Sequence, residues 1–176
     1  EGRREWTHGN AIGYGGEGKL LVSYRNISMI ALLDISTGEF VWKWGNNILS
    51  HQHSPSLLEN GNVLVFDNGC HRQGLPYSKV IEINPNTNEI EWEYNGDPFI
   101  SFFSSNISSC ERLPNGNTLI TEGAPGRIFE VTNQKEIVWE YINPFEINGE
   151  APIPKNAIFR AHRYDKKDPA ILKVLG

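Results

Sequence analysis

The 176-residue sequence is poor in cysteine and has no long hydrophobic run. Its two cysteines, Cys70 and Cys110, lie far apart and form no CxxC motif, which excludes the common zinc and dithiol motifs. Their spacing leaves open whether the two thiols pair in a disulfide. No stretch of about 18 apolar residues is present, so no transmembrane helix is predicted.

The charge is modestly negative rather than strongly basic. Sixteen lysines and arginines stand against 21 acidic residues, which gives a formal net charge of −5. A nucleic-acid partner is not expected, because phosphate binding requires clustered basic residues. The opening segment "EGRREWTHGN" contains no initiator methionine or signal peptide and begins within a repeat pattern, so we expect a longer parent protein.

Helical periodicity is also missing, and three repeats with β-strand periodicity are found instead. The segments "TGEFVWKWG", "TNEIEWEYNG" and "QKEIVWEYIN" align on Trp42, Trp92 and Trp139. Before them come "MIALLDIS", "KVIEINPN" and "RIFEVTNQ", each an alternating β-branched run that ends in a polar turn, and further upstream lie "EGKLLVSY", "NGNVLVFD" and "NGNTLITE". This two-residue period with Asn-Gly punctuation is typical of β-hairpins.

Four short antiparallel strands per repeat are typical of a β-propeller blade. The predicted fold is therefore all-β, one propeller domain or fragment over residues 1–176, with about three full blades plus partial ends. The approximate repeats are 6–50, 51–104, 105–145 and, in part, 146–176. Closed propellers typically need roughly four to eight blades, so we expect a fragment of a larger ring, which would self-associate if its ring is incomplete. Each repeated Trp is expected to pack between blades.

Polar residues recur at one position of the repeat, shortly before each glycine turn. His8, His51 and Asn106 each stand ten residues before the turn glycine of their repeat, and His53 stands eight before it. The first strands of successive blades line the central channel, so these side chains are expected to converge near the axis. His162, in "FRAHRY", lies where a fourth blade would begin, and it is a further candidate for the same pocket.

The segment "FDNGCHR" follows the second strand of the middle repeat. Asn68 and the glycine after it first predict a turn, since both residue types tolerate positive φ. A turn there would bring Arg72 back over the same pocket, with Asp67 beside it. We expect His71 to be a solvent-exposed bystander and His51 to orient its neighbours.

Metal binding is the main alternative for "HQH". His51 and His53 would lie on one face of a strand, but no cysteine or carboxylate spacing completes a site, so no metal is predicted. A lone histidine in a strand is more often a surface residue or a hydrogen-bonded core residue. Only the recurrence of the position from blade to blade favours a functional role.

Taken in order, "WTHGN", "LVSYRNIS", "STGEFVWKWG", "HQHS", "FDNG" followed by Arg, "LPNGNTLITEG" and "VWEY" resemble the arylsulfotransferase family, bacterial-type enzymes that use no nucleotide sulfate donor. The resemblance extends from residue 5 to about residue 164. It implies a six-bladed propeller, a periplasmic or secreted location, and no cofactor. It also implies ping-pong transfer of a sulfuryl group from a small phenolic sulfate ester to a phenol, through a transiently sulfated histidine.

The resemblance also implies roles for individual residues. His8, His53 and Arg72 match active-site positions of the family, and His162 is a substitute from a later blade. The histidine that becomes sulfated in family members falls in the next blade, where this chain has "SSNISSC" and no histidine. Neutral imidazole is a good nucleophile near pH 7, and guanidinium pairs well with sulfuryl oxygens. Substrate-binding roles are implied for Asn10, His51, Asp67, Asn68 and Asn106.

Two other functions remain as alternatives. A non-catalytic propeller module would bind small anions or protein partners, which the missing histidine of the third repeat favours. A quinone-dependent propeller is suggested by the repeated "TGE" and Trp pattern, although no acidic pair that would hold its calcium ion is evident.

Overall fold

The computed structural model describes residues 5–146 and 155–175. Three antiparallel sheets, here called blades 1 to 3, follow one another, and each is a meander of four strands. Blade 1 contains β1 (Gly9–Tyr14), β2 (Lys19–Tyr24), β3 (Met29–Asp34) and β4 (Phe40–Trp44). Blade 2 contains β5 (His53–Leu57), β6 (Val63–Asp67), β7 (Lys79–Ile83) and β8 (Ile90–Tyr94). Blade 3 contains β9 (Ser109–Arg112), β10 (Thr118–Glu122), β11 (Arg127–Val131) and β12 (Ile137–Ile142). The predicted all-β blades are confirmed.

One short α-helix, α1 (Pro169–Leu175), follows the blades in the described part of the chain, and a 3-10 turn spans Phe99–Ser101. No helix is predicted from the sequence. Seven residues make only about two turns, which is too short for an apolar period to stand out in a sequence. Among residues 5–146 and 155–175, no helix is long and apolar enough to cross a membrane.

Glycine turns join the first and second strands of blades 2 and 3. Gly61 and Gly116 both have φ of 85°, a left-handed conformation that glycine adopts at no steric cost. Asn60 and Asn115 stand just before them, and each side-chain oxygen accepts a hydrogen bond from the backbone N–H two residues later, at 3.0 and 3.1 Å. The repeated "NGN" therefore builds the same turn twice and sets the register of the strands that follow.

Neighbouring blades pack face to face through two apolar clusters. The first cluster joins blades 1 and 2 and contains Leu21, Ile30, Leu32, Trp44, Leu49, Val63, Val65, Ile81 and Ile83. The second joins blades 2 and 3 and contains Leu64, Phe66, Val80, Tyr94, Phe102, Cys110, Ile120, Phe129 and Val131. Alternate residues of β6 enter opposite clusters, as the two-residue period of a strand requires. Both cysteines are free thiols, so apolar burial rather than a disulfide holds these blades together.

A buried glutamate in β7 ties blade 2 to blade 3. Glu82 accepts hydrogen bonds from Asn60 and Asn62 at 3.0 and 2.7 Å, and from Arg112 of β9 at 2.8 Å. The Arg112 guanidinium also lies over the Trp92 ring, 5.2 Å from its centroid. Burial alone would raise the pKa of Glu82, but these three donors together hold that pKa below its ordinary value of 4.5.

The same arrangement recurs one blade later. Glu130 accepts hydrogen bonds from the two turn asparagines of its own blade at 3.1 and 2.6 Å, and it pairs with Arg163. The Arg163 guanidinium lies over the Trp139 ring, 5.1 Å from its centroid. The segment around Arg163 therefore docks on blade 3 as β9 docks on blade 2, which is the position expected for the first strand of a fourth blade.

Two of the three repeated tryptophans bridge adjacent blades. The indole N–H of Trp42 donates to Asn88 Oδ1, and that of Trp92 donates to the Asn133 carbonyl oxygen, both at 2.9 Å. The predicted packing between blades is confirmed for this pair. Trp139 is 42% exposed and has no equivalent indole hydrogen bond within the described residues.

Candidate functional site

The starts of the first strands of the three blades lie side by side. Asn10 of β1 donates from Nδ2 to the Gln52 carbonyl oxygen, just before β5, at 2.7 Å. Asn68 donates from Nδ2 to the carbonyl oxygens of Ser104 and Ile107, before β9, at 2.8 and 3.0 Å. Two asparagines predicted as site residues therefore join the blade starts that the sequence predicted to converge.

The hydrogen bonds of His53 determine its tautomer. Its Nδ1 lies 2.7 Å from Asn68 Oδ1 and 3.2 Å from the His51 carbonyl oxygen. Because the Asn68 amide nitrogen is used on two carbonyl oxygens, its Oδ1 must face the imidazole, and both partners of Nδ1 are acceptors. Nδ1 therefore carries the hydrogen. Nε2 carries the lone pair and makes no hydrogen bond with any described residue.

The surroundings of His53 keep its imidazole neutral. Burial lowers the pKa of His53 below its ordinary value of 6.5, the hydrogen bond to Asn68 opposes this, and the positive charge of Arg25 lowers the pKa further. The residue is only 9% exposed. A neutral imidazole with an available Nε2 can act as a nucleophile or as a base near pH 7.

His8 lies at the entry to β1, close enough to His53 for its charge to influence the pKa of that residue. Its Nδ1 is 3.0 Å from Glu5 Oε2, and its side chain is 39% exposed. The carboxylate is an acceptor, so Nδ1 of His8 carries a hydrogen and Nε2 is left to exchange protons with a ligand.

His51 and His71 form a pair beside this group. The His51 residue is 4% exposed, and its ring centroid lies 4.1 Å from that of His71. The His51 carbonyl oxygen accepts from His53, and the orienting role of the His51 side chain stays a prediction. His71 is exposed as predicted. It nevertheless contacts His51 directly, and no sequence pattern predicts this contact.

Asp67 and Arg72 form an ion pair at the end of β6. Asp67 is fully buried; the Ser50 N–H donates to its Oδ1 at 2.7 Å, and Arg72 donates to its Oδ2. Burial raises the pKa of Asp67 to about 6, and the Arg72 guanidinium opposes that shift. The guanidinium also packs over Tyr77, 4.5 Å from the ring centroid. The turn thus brings Arg72 back to Asp67, which balances its charge, and the active-site role of Arg72 stays a prediction.

Blade 3 presents neutral polar groups at the equivalent position. Asn106 lies in the loop before β9, where its carbonyl oxygen accepts from Ser104 Oγ at 2.8 Å. The buried Ser108 Oγ accepts a hydrogen bond from the Gly123 N–H at 3.0 Å. Amides and hydroxyls therefore replace the imidazoles of blade 2.

His162 lies with blade 3. Its Nδ1 is 3.3 Å from Glu111 Oε2 of β9, and its side chain is 46% exposed. The structure brings it to the side of β9 and gives it no direct contact with the imidazoles of His8 or His53. Its catalytic role stays a prediction.

Three residues at these strand starts were not singled out in the sequence. Gln52 is fully buried and donates to Ser23 Oγ at 2.8 Å, which ties blade 2 to blade 1. Arg25 follows β2 and influences the pKa of His53. Arg160 donates to Ser54 Oγ at 2.8 Å across 106 sequence positions. Only the "SYRN" motif indicated Arg25, and no pattern indicated the contact of Arg160.

Left-handed backbone conformations recur within two residues before the first strand of each blade. His8 and His51 have φ of 48° and 61°, and Ile107 has φ of 51°. Such values are uncommon outside glycine, and least favourable for a β-branched residue such as isoleucine. Their recurrence at the entry to each first strand is typical of a functional site, where local strain concentrates.

A cavity of about 630 Å³, here called the channel cavity, opens beside the strand starts of blade 1. Asn10, Tyr24, Phe159 and Arg160 line part of it. The Oδ1 atom of Asn10 is buried and accepts no hydrogen bond from the described residues. Within those residues, no group of three histidine, cysteine or acidic side chains could hold a metal ion.

Packed four-stranded blades with a polar site at the starts of their first strands define the fold class as a β-propeller. A streptogramin B lyase structure is similar at 18% identity and a TM-score of 0.58, covering 81% of this chain and 43% of that one. Virginiamycin B lyase from Staphylococcus aureus is similar at 19% identity and a TM-score of 0.55, with the same coverage. A protein of unknown function from Bacteroides caccae has 16% identity and a TM-score of 0.57, covering 76% and 45% of the two chains.

The family follows from the sequence model that matches the chain. The model of the arylsulfotransferase (ASST) family matches residues 2–144, so the chain belongs to the arylsulfotransferase family. The resemblance noted from the motifs is therefore confirmed. No curated protein matches the sequence. The chain spans less than half the length of the solved structures it resembles.

Proposed function

We propose that this chain carries the nucleophile of an arylsulfotransferase, which moves a sulfuryl group from a phenolic sulfate ester to a phenol. The observation that carries the proposal is the tautomer of His53. Its Nδ1–H is held by Asn68 Oδ1 and the His51 carbonyl oxygen, which leaves the Nε2 lone pair available. Membership of the arylsulfotransferase family supports the same chemistry.

The first half-reaction is attack on the donor ester. Nε2 of His53 forms a bond to sulfur while the bond between sulfur and the phenolic oxygen breaks. The electron pair leaves on the phenolate, which takes a proton from His8. In the sulfated imidazole the ring carries a positive charge that the negative charge of the bound sulfuryl group balances. The Nδ1–H of this ring donates more strongly to the two oxygen acceptors, so the site stabilises the intermediate more than the free histidine.

The second half-reaction reverses these steps with the acceptor. The acceptor phenol returns a proton to His8 as its oxygen attacks sulfur, and the bond between sulfur and Nε2 breaks. His53 is released in its neutral form with the original tautomer. No cofactor is required, because every proton and electron pair is exchanged among the two substrates and the two histidines.

Trapping of the intermediate tests this proposal. The purified chain is incubated with 4-nitrophenyl sulfate, with and without a second phenol, and digested for peptide mass spectrometry. We expect phenol-dependent release of 4-nitrophenol and one sulfuryl group on the peptide that contains His53. If release does not depend on the phenol and no peptide carries a sulfuryl group, this chain does not perform the transfer.

A non-catalytic anion-binding module is the second candidate. It is favoured by blade 3, where Asn106 and Ser108 stand at the place of the blade 2 histidines and neither side chain can form a stable sulfated intermediate by the same route. Calorimetry would then detect binding of 4-nitrophenyl sulfate with no release of 4-nitrophenol.

A further inference from the structure

The described arginines differ in whether a carboxylate balances their charge. Four of them pair with Asp or Glu: Arg72, Arg112, Arg127 and Arg163. The other two described arginines, Arg25 and Arg160, have no carboxylate partner within residues 5–146 and 155–175. In a chain of net charge −5, two uncompensated guanidinium groups mark places where an external anion is favoured.

Arg25 lies at the entry to the site from blade 1. Its backbone N–H donates to the His8 carbonyl oxygen at 2.9 Å, which places it next to that histidine. Among the described residues, its side chain donates to the amide oxygen of Asn26, at 3.0 Å, and to no other group. Burial lowers the pKa of His53 and raises the pKa of Cys70, and the positive charge of Arg25 adds to the first shift and opposes the second, so the guanidinium is close enough to both residues to act on them.

Arg160 reaches the first strand of blade 2 from the side of blade 3. Its segment is held to blade 3 by a hydrogen bond from the Ile158 N–H to the Gly123 carbonyl oxygen at 2.9 Å. From there its guanidinium reaches Ser54, the residue that follows His53 in β5, at 2.8 Å. The side chain also lines the channel cavity, so it is open to a ligand.

We infer that Arg25 and Arg160 bind the anionic oxygens of the ligand at His53 and contribute more to its affinity than Arg72 does. Arg72 is a positioning residue, whose charge is balanced by Asp67 and whose guanidinium is packed on Tyr77. The ligand class is a sulfate monoester, and inorganic sulfate presents the same oxygens. The inference rests on the proposed function for the identity of the ligand. It deepens that function by assigning the two arginines whose positive charges bind the ligand.

Calorimetric titration of the purified chain with inorganic sulfate and with 4-nitrophenyl sulfate tests this assignment. We expect Arg25→Gln and Arg160→Gln each to raise the dissociation constant about tenfold, as for loss of one charge-assisted hydrogen bond. Lys166→Gln is the matched control, because it removes one exposed positive charge from the same segment as Arg160. Its dissociation constants should stay within about twofold of the parent's, since an exposed charge acts weakly.

Unchanged affinity in both arginine variants, or an equal loss in Lys166→Gln, overturns the inference. Thermal unfolding checks that each variant is folded; if Arg25→Gln is not, Arg25→Lys is titrated, and it too should bind more weakly because the planar fork is lost. If 4-nitrophenyl sulfate binds more weakly to both arginine variants but the parent releases no 4-nitrophenol, this inference is supported and sulfuryl transfer is contradicted. If both arginine variants turn over 4-nitrophenyl sulfate with the KM of the parent, this inference is overturned and the proposed sulfuryl transfer is unaffected.

Discussion

Blades 2 and 3 share one framework and differ at their inner edges. In each blade a buried glutamate is bound by two turn asparagines and by an arginine from the segment that follows that blade along the chain. At the strand starts, however, blade 2 has His51 and His53 where blade 3 has Asn106 and Ser108. The repeated residues therefore build the contacts between blades, and the residues that break the repeat build the site.

The largest effect is expected from removing the imidazole that distinguishes blade 2. His53→Asn should reduce phenol-dependent release of 4-nitrophenol by about 10³-fold or more, because the nucleophile is lost. Ser108→Ala, at the corresponding edge of blade 3, should reduce it by less than about threefold, since its hydroxyl bonds two backbone groups, the Gly123 N–H and the Asn106 carbonyl oxygen. Steady-state kinetics on both variants measures this difference, and similar losses would show that the blade 2 edge has no special role.

The shared framework should be more sensitive in blade 2 than in blade 3. Glu82→Ala should lower the free energy of unfolding by about 3 kcal/mol, because Arg112 and two asparagines lose a buried partner. Glu130→Ala should cost about 1–2 kcal/mol, since Arg163 is 39% exposed and water can replace the carboxylate. Urea unfolding gives both values. A larger loss in Glu130→Ala would contradict the ranking.

Framework and site carboxylates should respond oppositely to pH. The pKa of Asp67 is raised from 3.8 to about 6, so its contribution to stability falls as the pH rises between these values. The pKa of Glu82 is lowered, so its contribution is present above pH 4.5 and is lost as the pH falls below that value.

Two variants measure this contrast by urea unfolding over a range of pH. The stability gap between parent and Asp67→Asn should shrink by up to about 3 kcal/mol from pH 4 to pH 7, from about two pKa units. The difference in free energy of unfolding between parent and Glu82→Gln should instead become smaller as the pH falls below 4.5. Gaps that move in the same direction would show that the two carboxylates have similar environments.

The smallest effect is expected at the tryptophans. Trp92→Phe removes an indole hydrogen bond to the next blade and should lower the free energy of unfolding by about 1 kcal/mol. Trp139→Phe should change it by less than about 0.5 kcal/mol, because that side chain is 42% exposed. Thermal or urea unfolding measures both, and an equal cost would indicate that β12 is as well packed as β8.

Much of the fold could be predicted because it depends on short-range patterns. Alternating apolar residues, glycine turns and three aligned tryptophans predicted four-stranded blades, and the structure confirms them. The helix α1 was missed because two turns give too few periods to recognise. Among the site residues, the recurrence of polar residues located the blade starts, where Asn10 and Asn68 join neighbouring strands.

Other parts of the site depend on contacts between blades, and these contacts cannot be predicted from a repeating sequence pattern. The tie between Asp67 and Arg72, which balances the charge of that arginine, follows from the path of a loop. The reach of Arg160 to Ser54 spans 106 positions and depends on how its segment docks on blade 3. The position of His162 beside Glu111 likewise depends on that docking.

By itself, the sequence determined the strand pattern, the repeat and the residue types available at each blade start, because these depend on neighbours along one chain. Tertiary structure alone decided the tautomer of His53, which arginines have their charge balanced and which do not, and which histidines meet. These properties arise from burial and from partners in other blades, where the local environment of a charged or polar group is set by packing across sheets.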